Sequence, residues 1–475
     1  MSSSAPRSWP GGRAPIGAGR CRSARPSPSP WAGSPSPRSS PWPSRDSGSA
    51  RPDGRCAASS SRSRTRTGAH GIGGSWHERR TRGRHRGPPA GRQRRGAAPF
   101  DAPRAGPQGR SRWHAVAFDR SLVAVFVVSR LLVALAAVAA ETLIIRNPSL
   151  TSGDGAPILR SLTSWDGWFY LGIARDGYHA AAVTASYHDY AFLPLYPFVI
   201  RVLSAPWPAF AGLVGVVVSN VAFLIALGLF VRLGESVVGR RRARLGAAYL
   251  AIFPFAAVFS MSYTESLFLA LVLGAFLAAE RDRRPLAGFL FALACLCRLQ
   301  GIVLIVPLAL VLLRRDGWRP RPSLAWLALG PAASGAFLLF VARLTGSSSG
   351  YLDAQVGWGR SGVGTAAANG ESIAQLFTPY QATLIAVLAV AIFLLVYLRG
   401  DRIPLAYALV PILTVGLALS SGLLEAIGRI AMLAFPYAWI LAGRRSGWFR
   451  RAWPLASAGL MTLFAVLMFG GYYVP

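Results

Sequence analysis

The stretch LAGFLFALACLCRLQGIVLIVPLALVLL, Leu286–Leu313, decides how this chain folds. It is apolar almost throughout, and its one charge is Arg298. It can be one long helix broken at Arg298, or two short spans. The arginines elsewhere choose between these. They form five groups: Arg240-Arg241-Arg242 with Arg244; Arg281, Arg283 and Arg284; Arg314, Arg315, Arg319 and Arg321; Arg399 and Arg402; and Arg444, Arg445, Arg450 and Arg451. Arginine-rich loops of membrane proteins stay in the cytoplasm. With the N-terminus inside, all five groups reach that side only if Leu286–Leu313 crosses twice. The chain must then turn outside at Ser262-Tyr263-Thr264 and at Arg298-Leu299-Gln300. The expected count is about eleven spans. Two of these, of about a dozen residues, reach roughly 18 Å at 1.5 Å per residue. A hydrocarbon core is about 30 Å thick, so these short spans are expected to meet a wet cavity open to the outer face.

Composition supports a membrane protein. The 475 residues are 52% hydrophobic, with a mean hydropathy of +0.37, too apolar for an ordinary soluble chain. The formal charge of +32 is uneven: residues 1–112 hold 23 arginines and 4 acids, a surplus of +19. Every basic residue is Arg. With abundant Ala, Gly and Pro, this fits a GC-rich coding sequence and a bacterial source. Residues 1–112 lack aliphatic runs and are expected to be disordered. They read as a cytoplasmic tail, or as upstream sequence translated from a misplaced start, rather than as a nucleic-acid-binding arm. No nucleic-acid partner is expected, and Met1 opens no signal peptide. The domain boundary is placed between 1–112 and 113–475. Four Cys and six His show no metal-binding spacing.

The expected spans are Ser121–Ala140, Ala209–Leu233, Leu245–Ser260, Glu265–Ala279, Leu286–Cys297, Gly301–Leu313, Ser323–Leu344, Gln381–Leu398, Ile403–Ser420, Arg429–Leu441 and Trp453–Gly470. Arg130, inside the first, needs a partner or a wet cavity. Between the first two lies a polar loop, Glu141–Pro208, containing SWDGWFYLGIARDGY, Ser164–Tyr178. Ser164 suits a helix N-cap and Gly177 a C-cap, giving a short aromatic helix at the membrane surface. Asp166 falls in its first turn, near Trp165, Trp168 and Tyr170. It is a candidate general base, or merely helps to cap the helix. Asp176 is the weaker candidate on that segment. Downstream, HDYAFLPLYP, His188–Pro197, has two prolines and is expected to be broken or re-entrant. This topology puts Asp166, Asp189, Glu265, Arg298, Asp353, Glu371, Glu425, Arg429 and the loop Gly346–Pro379 on the outer side.

These motifs resemble those of the PIG-V mannosyltransferases. The resemblance rests first on Trp165-Asp166, Ile173-Ala174 and Gly177-Tyr178, followed by Tyr190–Pro197. It continues through Ser262–Phe268, Cys297–Gly301, Ala354-Gln355 with Trp358 and Arg360, and Gly428-Arg429 leading to Phe435-Pro436. It spans about residues 115–445, and Leu193, Leu299 and Gln300 depart from the usual pattern. It implies an all-α, polytopic transmembrane bundle of the GT-C superfamily, whose members take sugar from a polyprenyl- or dolichyl-phosphate-linked donor. It also implies an acid of the first outer loop at the reaction centre, which is Asp166 by position.

The chemistry fits from below. An acceptor hydroxyl loses a proton as it attacks the anomeric carbon, so one carboxylate suffices for inversion by direct displacement. Arg298 and Arg429 are expected near the leaving lipid phosphate. Glu265 would orient a sugar hydroxyl or fix Arg298, and Trp165, Asp189, Tyr263 and Gln355 complete the expected substrate-binding set. The plain alternative for the charged residues is structural ion pairing. The expected function is mannosyl transfer from a polyprenyl-phosphate donor to a glycolipid or glycoconjugate acceptor, among membrane lipids, on the outer face of a bacterial plasma membrane. The competing class is a transporter or flippase of lipid-linked sugars, for which internal repeats are expected; none is seen. No cofactor is assigned. Without an Asp-x-Asp motif, the question of a divalent metal stays open.

Overall fold

The computed structural model describes residues 119–147, 156–183, 187–357, 403–420, 427–444 and 446–472. The expectations for the tail, for Gln381–Leu398, and for Trp358, Arg360, Glu371, Arg399, Arg402 and Glu425 lie outside the described residues. The described residues form helices joined by short turns, with no strand among them. The first are α1 (Arg120–Leu143), α2 (Pro157–Thr163), α3 (Asp166–Asp176), α4 (Leu195–Ser204), α5 (Ala211–Val237), α6 (Arg240–Ala251) and α7 (Glu265–Glu280). They are followed by α8 (Arg284–Cys297), α9 (Ile305–Arg315), α10 (Leu329–Thr345) and α11 (Gly350–Gly357). The last are α12 (Leu405–Ser420), α13 (Ile427–Leu433), α14 (Pro436–Gly443) and α15 (Gly447–Gly470).

Among the described residues, four helical segments are long and apolar enough to cross a membrane: Arg120–Leu143, Pro208–Val237, Pro322–Thr345 and Gly447–Gly470. Large apolar side chains stay exposed along α1, with Val128 at 55%, Leu131 at 57% and Leu135 at 62%. In water such a stripe would be costly, but hydrocarbon accommodates it. This is a multi-pass membrane protein. Among the described residues, the other expected spans are shorter or broken. Leu245–Ser260 is the twelve-residue α6 followed by a 3-10 turn. Arg429–Leu441 is interrupted between α13 and α14, where Pro436 starts a new helix.

Leu286–Leu313 doubles back. Arg298 leaves α8 with φ −149° and ψ 132°, an extended conformation that ends the helix. A 3-10 turn, Leu299–Leu304, leads into α9. Gly301 permits the reversal, since a Cβ there would lie 3.1 Å from the Ala294 backbone. At the far end the two helices are clasped: Arg284 at the start of α8 binds both Asp316 oxygens just beyond α9, at 2.6 and 2.9 Å. Arg314 reaches Glu280, the last residue of α7, at 2.7 Å. The ends of α7 and α9 and the start of α8 therefore meet at one pole, and Glu265 and Arg298 lie at the other.

Arg130 finds no carboxylate among the described residues. Its guanidinium donates to the Ala251 and Ala256 carbonyls and to Ser260 Oγ, and it stacks 4.7 Å from the Phe223 ring centre. The last residue of α6, Ala251, and the first of the 3-10 turn after it, Ala256, supply these carbonyls, which a continuous helix would have used internally.

Candidate functional site

The loop after α1 is more helical than its polarity suggests, and it is tied down at several points. Ser262 N–H donates to the Leu162 carbonyl at 2.8 Å. Gly215 lets α5 approach that turn, because a Cβ there would fall 2.2 Å from Ser262 Oγ. The Trp165 indole donates to the Met468 carbonyl at 3.0 Å. The short aromatic helix forms as expected, ending at Gly177 with φ 89°. Its start differs from the expectation. Ser164 does not cap it; the Ser164 hydroxyl donates to the Ser161 carbonyl instead. The cap position is Trp165, with φ 59° and ψ −129°. A non-glycine residue pays on the order of 1–3 kcal/mol for such a backbone. The bend delivers Asp166 to the first turn, where its N–H donates to the Tyr263 hydroxyl at 3.2 Å.

Four charged side chains converge there in alternating order. Asp166 Oδ2 accepts from Arg429 Nη1 at 2.6 Å. Arg429 Nε lies 3.3 Å from Glu265 Oε1. The same Glu265 oxygen accepts from Arg298 Nη1 at 2.6 Å. Thr264 Oγ1 and Gln300 Oε1 hold Arg298 further, at 2.8 and 2.9 Å. The Arg429 guanidinium lies 5.5 Å from the centre of the Tyr263 ring. Tyr170 places its hydroxyl 3.4 Å from Thr264 Oγ1.

Burial is graded across this chain of charges. The side chain of Glu265 is 1% exposed, Arg429 7%, Arg298 9% and Asp166 21%. Asp166 is thus the member that faces open space. The tetrad is neutral, yet its bonding is incomplete. Arg429 Nε is buried without a hydrogen bond. Among the described residues no donor meets Asp166 Oδ1. Buried polar atoms are nearly always paired in native proteins, so exceptions call for a functional reason.

Asp166, Tyr263, Glu265, Arg298 and Arg429 come together, although Asp166 and Arg429 are far apart in sequence. Three other candidates do not join them. Trp165 spends its indole N–H on α15. Asp189 is 3% exposed and clasps His179, accepting from its backbone N–H at 3.0 Å and lying 2.8 Å from its Nδ1. Gln355 donates to the Ala191 carbonyl at 3.2 Å, fastening α11 to the proline segment. That segment is broken as expected, with a 3-10 turn at Asp189–Ala191 before α4. Asp176 forms an exposed pair with Arg175. Thr264 and His179 carried no expected role: Thr264 falls within the Ser262–Phe268 motif, whereas His179 meets Asp189 through the return of the loop. Among the described residues, no three His, Cys, Asp or Glu side chains group as a metal site.

Comparison with known proteins bears on this site. Residues 119–316 match the mannosyltransferase (PIG-V) family. The region includes Asp166, Tyr263, Glu265 and Arg298, and ends before Arg429. The chain is 30% identical over 228 residues to GPI mannosyltransferase 2 of Chaetomium globosum, covering 39% of this chain and 47% of the relative. It thus spans about half the length of that relative. The fold can be laid over the apo oligosaccharyltransferase of Archaeoglobus fulgidus with a TM-score of 0.42 and 14% identity, covering 76% of this chain and 57% of that one. ArnT from Cupriavidus metallidurans, solved with undecaprenyl phosphate, gives 0.41 and 13%, covering 74% and 76%.

Proposed function

We propose that this chain is a membrane mannosyltransferase that moves a mannosyl group from a polyprenyl-phosphate donor to a hydroxyl of a glycolipid or other glycoconjugate. The observation that carries this is the buried tetrad Asp166–Arg429–Glu265–Arg298, with Asp166 its most exposed member. It falls largely within the region that matches the PIG-V family.

The acceptor O–H meets Asp166 Oδ1, the carboxylate oxygen that Arg429 leaves open. As the acceptor oxygen bonds to the anomeric carbon, its proton passes to Asp166. The bond from the anomeric carbon to the phosphate oxygen breaks, and the lipid phosphate leaves with the electron pair. The phosphate gains one negative charge while the tetrad loses one, so the site's total charge is unchanged. Arg298 is the cation assigned to the phosphate, offering a guanidinium already fixed by Glu265, Thr264 and Gln300. Arg429, first expected at the phosphate, is here the residue that orients Asp166. The site faces the outside of a bacterial plasma membrane, and the arginine-rich pole faces the cytoplasm.

The direct test is sugar release from radiolabelled polyprenyl-phosphate-mannose by the purified full-length protein in the presence of acceptor lipid. Mannosylated product that disappears in Asp166→Asn supports the proposal; carriage of intact donor across vesicles without sugar release sinks it. Orientation is tested by Gln300→Cys in a Cys-free background. An impermeant thiol reagent should label it from outside, and labelling only from the cytoplasmic side overturns the orientation.

A further inference from the structure

At the pole opposite the tetrad, α1 begins, α5 ends, α6 begins and α15 begins around a cavity of about 830 Å³. Its walls carry five arginines, Arg232, Arg240, Arg241, Arg244 and Arg450, against two acids, Asp119 and Glu235. The two acids of the lining serve two of these arginines: Arg244 meets Asp119 at 2.8 Å, and Arg240 stands 3.8 Å from Glu235. The arginines come from three different helices, so no single amphipathic face explains them. The rest of the lining is largely apolar, with Leu122, Val125, Val231 and Leu245 set further along α1, α5 and α6 from their ends at this pole. Along α1 these apolar walls run on into the exposed stripe of Val127, Val128 and Leu131.

Cations at the mouth and hydrocarbon beneath repeat the layering of a phospholipid. We infer that this cavity binds the phosphate headgroup of an anionic membrane lipid, with the upper part of an acyl chain against the apolar floor. Guanidinium matches phosphate oxygens with paired hydrogen bonds. A pocket of this size suits a headgroup rather than a single ion. The chain's own upstream segment is a poor occupant, because residues 1–112 carry 23 arginines and 4 acids and would be repelled. A soluble polyanion would leave the apolar floor unused.

The full-length protein is reconstituted into phosphatidylcholine nanodiscs containing a minor share of phosphatidylglycerol, and retained lipids are counted by native mass spectrometry. Wild type should hold phosphatidylglycerol in preference to phosphatidylcholine. The double variant Arg241→Gln/Arg450→Gln should lower that retention about tenfold, since each surface cation contributes appreciably to anionic-lipid binding. Ala248→Trp fills the cavity without touching a charge, and should lower retention as well. If the double variant does not fold, Arg450→Gln alone, at the exposed start of α15, together with Ala248→Trp decides the matter. Equal retention of the two lipids by wild type overturns the inference, as does phosphatidylglycerol retention unchanged by Ala248→Trp. Inorganic phosphate that binds wild type and Ala248→Trp equally and displaces the lipid would identify a free-anion site and also overturn it. Displacement by a short RNA that is indifferent to Ala248→Trp would do the same.

Discussion

Helix α7 begins at Glu265 and ends at Glu280, about 22 Å apart at 1.5 Å per residue. Both glutamates bind arginines, yet the two poles are built differently. Around Glu280 the bonding closes on itself. Arg284 holds both oxygens of Asp316 and also Asp282. Glu280 serves Arg314 and the Tyr407 hydroxyl, each within 2.8 Å. Arg314 and Arg315 remain 42% and 35% exposed, so water completes their shells. Around Glu265 water is largely excluded, and one carboxylate oxygen serves two arginines. Asp166, at 21% exposure, is the most open member, and Arg429 Nε stands 3.3 Å from Glu265 Oε1 without completing a hydrogen bond. Burying charge adds little stability even when it is well paired. The Glu280 pole clasps helices; on the proposed function, the looser bonding of the Glu265 pole leaves room for substrate.

Substitutions at both poles can break this contrast. The largest expected effect is Asp166→Asn. It keeps the shape of the side chain but cannot take a proton, so turnover should fall about 10²–10⁴-fold with insertion retained. Glu280→Gln should leave turnover within about twofold, since exposed ion pairs are worth little. Comparable losses in sugar-transfer assays of both variants would abolish the functional distinction.

Glu265→Gln comes next. It leaves two buried arginines facing one carboxylate fewer, and should cost about 3 kcal/mol or more in stability. Thermal unfolding in detergent would measure it, and a loss no greater than that of Glu280→Gln would show that water reaches the tetrad. Smaller again is Arg298→Lys, which keeps the charge but loses the planar fork. It should raise the KM for the lipid donor about tenfold and leave the acceptor KM unchanged. An effect confined to the acceptor would move Arg298 away from the phosphate.

The smallest effect concerns Asp316, whose carboxyl is held below the usual carboxylate range chiefly by its hydrogen bonds from Arg284. A depressed folded-state pKa stabilises the fold above the unfolded value, about 3.9, and that contribution is lost as pH falls through the folded value. Wild type should therefore be more stable than Asp316→Asn by a constant margin near neutral pH. The margin should narrow in acid, as followed by unfolding temperature against pH. A margin that widens in acid would mean the clasp is not ionic.

Much of the site was legible before the fold. Helix α3, the break at Arg298 and the reversal of Leu286–Leu313 follow from caps, apolar runs and arginine placement, all local signals that chain chemistry writes directly. So does the candidacy of Asp166, Glu265, Arg298 and Arg429. Their pairing was legible only in part: Glu265 fixing Arg298 was one of the expected alternatives, whereas Arg429, expected at the phosphate, is given by the fold to Asp166. The sequence also hid that Trp165 points to α15 and that Asp189 clasps His179.

The amino-acid sequence by itself determined a helical membrane protein, an arginine-rich pole and the set of acids and bases at the other. Hydrophobic runs, helix breakers and the sidedness of arginine act over a few turns at a time and need no distant partner. Tertiary structure alone decided which charges touch, which oxygen stays open and which side chains see water. A hydrogen bond depends on ångström-scale approach between segments as remote as α3 and α13. Gly167 and Gly215 let α3 and α5 close on the turn at Ser262, and Gly428 lets the start of α13 close on Phe255.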